Sequence, residues 1–146
     1  MTDPLGTASA LVRLSFLVQS VYATVCAQHD LTPAQAQLLC VLKDQPRAMA
    51  ELVAMLRLEK SSLSGLVDRV ERQGLLSRHP SPVDRRAVRL ALTTRGQEVA
   101  EQFYEEATTA LEQLVQHLPV TEQRCFTQIT HRILLEEAVP EIFGTA

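Results

Sequence analysis

The chain has 146 residues, a length that indicates one domain large enough to bury a core of its own. Hydrophobic residues make up 46% of it and charged residues 21%, which excludes an intrinsically disordered protein, and three widely spaced cysteines exclude a disulfide framework. The net charge of −3 argues, at this level, against a nucleic-acid partner. No uninterrupted apolar run approaches the ~18 residues that span a bilayer, and residues 1–4 lack the basic stretch of a signal peptide. A cytoplasmic protein with no membrane partner is therefore expected.

Charge is distributed unevenly along the chain. Residues 1–42 carry a net charge of −1 and residues 96–146 a net charge of −7. Residues 43–95 hold eleven basic and six acidic residues, which gives this segment a net charge of +5. A basic segment between neutral and acidic flanks is typical of a chain in which one part contacts a polyanion, although an ordinary solvated surface would show the same composition.

The first two predicted helices are marked by apolar spacing and by a cap. In residues 7–28, five apolar residues recur at spacings of three and four: Leu11, Leu14, Val18, Val21 and Val25. This pattern suits a helix that packs along another helix, although a core helix would also show it. A second helix is predicted to begin after Thr32, with Pro33 at its first position and Gln35 completing a capping box, and to end before Pro46.

Two consecutive helices follow, a short one at residues 48–56 and a longer one at residues 59–73. The longer helix has an apolar face composed of Leu63, Leu66, Val67 and Val70. Its opposite face is small and polar and contains Ser61, Ser64, Gly65, Asp68 and Arg72. Gly74 suits the position just past the helix end, where glycine adopts a left-handed conformation at little cost.

The apolar period changes to two after Leu75, which predicts a single β-hairpin with strands at residues 76–79 and 88–92. The loop between them is rich in proline and is followed by Asp84, Arg85 and Arg86. A helix capped by Thr93 or Thr94 then runs to Pro119, and a last helix begins at Thr121 with an apolar stripe. That stripe consists of Phe126, Ile129, Ile133 and Leu134.

This order of elements predicts a mainly α fold with a small β-hairpin wing, a winged helix-turn-helix. In such a fold the second helix of the pair enters the major groove of DNA, and the surrounding basic groups contact phosphates. The arginines of the hairpin suit a narrow, electronegative minor groove. The candidate DNA-binding residues are Lys60, Ser61, Ser62, Ser64, Gly65, Arg69, Arg72, Arg78, Asp84, Arg85 and Arg86.

Within this set, Lys60, Arg69, Arg72 and Arg78 are expected to contact phosphates. Asp84 is expected to hold the guanidinium of Arg86 through a bidentate pair. A surface ion pair of little consequence is the alternative for these two residues.

Three segments, in this order, resemble the MarR family of bacterial transcriptional regulators. They are residues 31–35 (LTPAQ), residues 63–75 (LSGLVDRVERQGL) and residues 84–96 (DRRAVRLALTTRG). The resemblance implies a homodimer in which residues 1–30 and 97–146 form a dimerisation region and residues 31–96 bind DNA, within one compact domain. It also implies a pseudo-palindromic double-stranded DNA operator, repression, and release by a small phenolic or other anionic effector.

The same resemblance assigns roles to individual residues. Ser61, Ser62 and Ser64 match the positions that read the major groove in the family. Arg86 matches the arginine that enters the minor groove, and Asp84 matches the partner of that arginine.

Other classes of function find less support. The common phosphate-binding, nucleophile and zinc-protease motifs do not occur, so neither an enzyme nor a cofactor is expected. The four histidines include no pair four residues apart, and no metal site is expected. Cys26, Cys40 and Cys125 lie in apolar helical segments and are expected to be buried, inert thiols. A redox-sensing regulator acting through Cys26 or Cys125, and a helical interaction protein that does not bind DNA, are the alternatives.

Overall fold

The computed structural model describes residues 5–144, so the expectation about residues 1–4 lies outside the described part of the chain. Its elements, in order, are α1 (Thr7–Gln28), α2 (Pro33–Leu42), β1 (Arg47–Ala48), α3 (Met49–Leu56), α4 (Lys60–Arg72), β2 (Leu76–Pro80), β3 (Val88–Leu92), α5 (Thr94–Glu112) and α6 (Val120–Glu136). The mainly helical fold with a β-wing is confirmed, as is the extent of the first helix.

The predicted capping box starts α2. The backbone N–H of Gln35 donates to Thr32 Oγ1 over 3.2 Å, and the backbone N–H of Thr32 donates to Gln35 Oε1 over 3.0 Å. Pro33 occupies the first turn, where its missing N–H costs nothing. A cap of this kind stabilises a helix by about 1 kcal/mol. The helix it starts crosses the centre of the core, where Leu38 and Leu39 are fully buried.

Gly74 ends α4 in the way that the sequence predicts. Its φ is +76°, its N–H donates to the carbonyl of Glu71, and the N–H of Leu75 donates to the carbonyl of Val70. These two bonds form a Schellman motif, which turns the chain sharply out of the helix. Strand β2 therefore begins at Leu76 and runs beside α4, against which it packs.

The sheet has three strands, and the prediction of a single hairpin was wrong in this respect. Strand β3 lies in the middle and pairs antiparallel with β2 on one side and with β1 on the other. Arg47 of β1 lies opposite Leu90, and Ala48 lies opposite Arg89. A strand of two residues is too short to show an alternating pattern, so the sequence carries no signal for β1.

The predicted buried face of α4 is confirmed. Leu63, Val67 and Val70 are fully buried, and Leu66 is nearly so. They pack in one core with α2, with Leu52 of α3, with the sheet, and with α5. This packing fixes the rotation of α4 about its own axis, and so determines which residues face outwards.

The C-terminal helices differ from the prediction at their boundaries. Helix α5 ends at Glu112, not at Pro119, and α6 begins at Val120. Between them the N–H groups of Leu114, Val115 and Leu118 donate to carbonyls three residues back, which is a 3₁₀-like arrangement. Apolar residues spaced by three or four suit this tighter winding as well as an α-helix, so the spacing could not reveal the change.

The cap of α5 is formed by Thr93, one of the two threonines that the sequence offered. Its Oγ1 accepts from the N–H of Gly96 over 3.0 Å and donates to the carbonyl of Gly74 over 2.6 Å. Thr94 is not the cap, because it is already the first helical residue. The wing and α5 are therefore joined at the turn that follows α4.

Helices α1 and α6 expose most of their apolar side chains. In α1 only Val25 and Cys26 are buried, and α6 has no buried residue among those described. Phe16 is 65% exposed and Leu135 is 66% exposed. By length and composition α1 could cross a membrane, with a mean hydropathy of 1.5 over 18 residues, which the expectation based on apolar runs did not anticipate. Arg13, Gln19 and several small polar residues interrupt its apolar runs, but the aliphatic residues between them keep the average high.

Candidate nucleic-acid interface

The outward face of α4 is composed of small side chains. Ser61, Ser62 and Ser64 are exposed, and Lys60 occupies the first position of the helix. No side chain of the described residues caps this helix, so the amides of its first turn are available to an outside partner. Serine hydroxyls both donate and accept hydrogen bonds, and their size lets another surface approach the backbone closely.

Gly65 adds to this close approach. A Cβ built at this position would meet only the end of the Arg69 side chain, at 4.0 Å. Packing inside the described chain therefore does not require a glycine here, although glycine in the middle of a helix costs roughly 0.5–1 kcal/mol relative to alanine. A half-buried glycine that packing does not require suits a surface that another backbone or a base edge approaches closely.

The loop of the wing is ordered by its own hydrogen bonds. The carboxylate of Asp84 accepts from the backbone N–H of Arg86 over 2.9 Å, and Ser81 Oγ accepts from the N–H groups of Val83 and Asp84. Val83, at the tip, is 95% exposed. Arg85 and Arg86 are both exposed beside it.

The expected pair between the carboxylate of Asp84 and the guanidinium of Arg86 is therefore corrected. The carboxylate reaches the backbone instead, because a short aspartate side chain is well placed to accept from the N–H two residues on. Asp84 shapes the loop, and the guanidinium of Arg86 stays exposed to solvent.

The remaining basic residues differ in whether their side chains already bind other groups of the chain. Arg69 and Arg72 lie exposed in the last turn of α4, and the Nε of Arg72 donates to the carbonyl of Asp68 over 3.3 Å. The guanidinium of Arg78 contacts the carboxylate of Asp68, and its Nε lies 3.5 Å from Glu71 Oε1. Two carboxylates of α4 already hold the guanidinium of Arg78, so its expected contact with phosphates stays a prediction.

Two further arginines stabilise the position of β1 through hydrogen bonds to backbone carbonyls. Arg47 Nε donates to the carbonyl of Val41 over 2.6 Å, and its Nη1 lies 3.7 Å from Glu51 Oε2. Arg89 Nη2 donates to the carbonyl of Pro46 over 3.3 Å. Both arginines contribute to the net charge of +5 of residues 43–95. In the folded chain, however, Arg47 and Arg89 bind groups of the chain itself and hold the edge strand of the sheet in place.

The cysteines fall into two groups. Cys26 and Cys40 are buried, and burial raises the pKa of both thiols, that of Cys40 to about 12. Such thiols stay protonated at neutral pH and react slowly with oxidants. Cys125 is exposed on α6, so the expectation that it is buried was wrong.

A cavity that the sequence analysis missed lies between α1, α2, α5 and the residues after α6. Its volume is about 640 Å³, and its lining is mainly apolar, with Gln19, Tyr22, Gln37 and Cys40 as its polar residues. Phe143 closes one end and packs on the ring of Tyr104, with 4.7 Å between the centroids. These residues come from four separate segments, so no local pattern could have predicted the cavity. Within residues 5–144, no three histidine, cysteine, aspartate or glutamate side chains are placed to hold a metal ion.

Comparisons with known proteins agree with this architecture. A family model described as the MarR family matches residues 29–87. The transcriptional repressor NicR of Pseudomonas putida is 31% identical over 53% of this chain, and the match spans about half (49%) of NicR. The homoprotocatechuate degradative operon repressor of Escherichia coli is 28% identical over 89% of this chain and 85% of its own length.

Solved structures extend the likeness to nearly the whole chain. The transcriptional repressor CouR, bound to a 23-mer DNA duplex, is 25% identical and covers 91% of this chain and 97% of its own, with a TM-score of 0.78. The family model covers the helix pair and most of the wing, and the structural match adds the helices on either side. The chain therefore resembles the MarR family over residues 29–87 and shares the fold of CouR over 91% of its length.

Proposed function

We propose that this protein is a sequence-specific DNA-binding transcriptional regulator that represses its target genes. It binds a pseudo-palindromic operator as a homodimer, with α4 in the major groove and the wing in the minor groove. The observation that carries the proposal is the outward face of α4, with three exposed serines and a half-buried glycine, beside a wing whose arginines are exposed. The repressor CouR, which has the same fold, binds a DNA duplex.

The face of α4 suits the major groove. Serine accepts or donates at base edges, and a face without large side chains lets the helix lie deep in the groove. Lys60, Arg69 and Arg72 surround this face and would contact the phosphates on either side. These contacts set the position of the helix on the duplex, while Ser61, Ser62, Ser64 and Gly65 read the sequence.

The wing suits the minor groove. Its two exposed arginines extend from a loop that Asp84 and Ser81 hold in one conformation. A narrow minor groove concentrates negative potential and so attracts an inserted guanidinium. Of the two arginines, Arg86 is our assignment for the inserted side chain.

The homodimer is proposed from the exposed apolar faces of α1 and α6. Residues 1–30 and 97–146 would form the dimerisation region, and residues 31–96 the DNA-binding part. Apolar stripes of this extent are unusual on a monomer surface and mark interaction sites. A partner that covers α1 also accounts for the high hydropathy of this helix without a membrane, in a protein that acts on DNA in the cytoplasm and catalyses no reaction.

A small-molecule effector would have room in the 640 Å³ cavity. None of the described residues that line it is an arginine or a lysine. Burial raises the pKa of the Tyr22 phenol, which therefore stays neutral and is able to donate a hydrogen bond to an effector. These features favour a neutral phenolic effector over an anion.

Selection from genomic DNA tests the proposal. Purified protein is mixed with genomic fragments, and the bound fragments are recovered and sequenced. We expect enrichment of a few fragments that share an inverted repeat, with half-sites about 34–36 Å apart, one turn of the duplex. Recovery of fragments in proportion to their abundance would overturn the proposal.

A further inference from the structure

Arg78 connects the wing to the recognition helix α4. It is the third residue of β2, and its backbone lies opposite Leu90 of the central strand. Its guanidinium leaves the sheet and contacts the carboxylates of Asp68 and Glu71, both on α4. We call these three residues the Arg78 brace.

The position of Asp68 gives the brace its significance. Asp68 lies one helical turn after Ser64, on the same outward face of α4. An aspartate on a surface that meets DNA would repel phosphates, and a glutamate one turn away would add to that repulsion. In the folded chain the guanidinium of Arg78 lies against both carboxylates and offsets one of the two negative charges.

We propose that Arg78 is a positioning residue, which holds α4 and the wing in one relative orientation so that both fit the duplex at the same time. This inference rests on the proposed DNA-binding function. The side chain of Arg78 is 40% exposed, and exposed ion pairs contribute little to folding stability. The brace therefore acts on the geometry of the interface more than on the stability of the fold.

A different role for Arg78, direct contact with a phosphate, predicts the opposite response at Asp68. If only charge matters, Asp68→Asn removes a negative charge beside the DNA and tightens binding. If Asp68 holds Arg78 in position, the same substitution releases the guanidinium and weakens binding to the operator. The sign of the change separates the two roles.

The experiment measures dissociation constants of Asp68→Asn, Arg78→Gln and the double variant, for the selected operator and for a random duplex of equal length, over a range of salt concentrations. We expect each single variant to weaken operator binding about tenfold, the scale of one lost base contact, with little change on random DNA. The double variant should be no weaker than either single variant. Asp68→Glu should restore most of the affinity, and Asp30→Asn, an exposed aspartate at the end of α1, serves as the control.

The outcomes separate the two proposals. Two results together would overturn the brace and assign Arg78 to a phosphate. Asp68→Asn would bind the operator as tightly as the wild type or more tightly. Arg78→Gln would lose affinity for both duplexes, and the slope of its log affinity against log salt concentration would be smaller by about one. Wild-type protein that does not distinguish the selected fragment from random DNA would overturn the proposed function, and the brace with it.

Discussion

At the scale of single residues, backbone hydrogen bonds position the side chains of the candidate interface. Asp84 accepts from the N–H of Arg86, so the loop keeps its shape while the guanidinium stays free. Sequence reasoning identified both residues but paired their side chains, because spacing along the chain does not distinguish a contact with the backbone from one with the guanidinium. The partners of Arg78 on α4 were missed for a related reason, since they become its neighbours only through the turn at Gly74.

Arg86→Ala tests the wing at this scale. We expect operator binding to weaken by about 1–3 kcal/mol, roughly fivefold to more than a hundredfold, because one guanidinium is lost from the minor groove. The melting temperature should not change, because the side chain is exposed. A gel mobility assay at fixed salt measures the effect. Arg124→Ala, an exposed arginine on the side of α6 opposite its apolar stripe, is the matched control, and equal binding by both variants would contradict the role of the wing.

Gly96→Ala tests the junction between the wing and α5. A Cβ at this position would lie 1.8 Å from the carbonyl oxygen of Leu75, so the backbone must move to admit it. We expect a loss of about 1–3 kcal/mol or more in the free energy of unfolding, measured by chemical denaturation. The control is Gly65→Ala, in the middle of α4, where the added methyl group meets only the flexible end of the Arg69 side chain, at 4.0 Å, and should stabilise by up to about 1 kcal/mol. Similar stabilities for the two variants would show that the junction is not as tight as described.

At the scale of elements, local chemistry was enough to predict most helices and the wing. The capping residues Thr32 and Thr93 and the C-terminal Gly74 each act through neighbours within a few positions, so their effect is visible in the sequence. Strand β1 and the end of α5 depend on pairing and winding that the apolar pattern does not encode. The stripe of α1 was predicted correctly, but only Val25 of its five residues is buried within the chain.

Ile133→Glu tests whether the exposed stripe of α6 is a contact between two copies of the chain. We expect wild-type protein to sediment at about twice the mass of one chain, and the variant to dissociate, because burying an unpaired carboxylate at an apolar interface is costly. Arg124→Glu introduces the same side chain on the opposite side of the helix and should leave the mass unchanged. A wild-type protein that sediments as a single chain, or an Ile133→Glu variant that does not dissociate, would contradict the proposed dimer.

At the scale of the whole molecule, net charge is a poor guide to the partner. The −3 of the chain combines −1 from residues 1–42, +5 from residues 43–95 and −7 from residues 96–146, whose acidic residues lie largely on α5 and α6. Part of the +5 is also used internally, since Arg47, Arg78 and Arg89 bind groups of the chain itself. The basic residues that stay exposed on α4 and the wing are therefore fewer than the sequence suggested, and they lie around the serines of α4.

The central claim is that this surface reads a DNA sequence. The most direct test is the ratio of affinities for the selected operator and for a scrambled duplex of equal length, followed from low to physiological salt. We expect the operator to bind at least about a thousandfold more tightly than the scrambled duplex at physiological salt. Both affinities should fall steeply as the salt concentration rises, because the release of counterions from DNA then contributes less to binding. Equal affinity for the two duplexes, or an affinity that does not change with salt, would contradict the account.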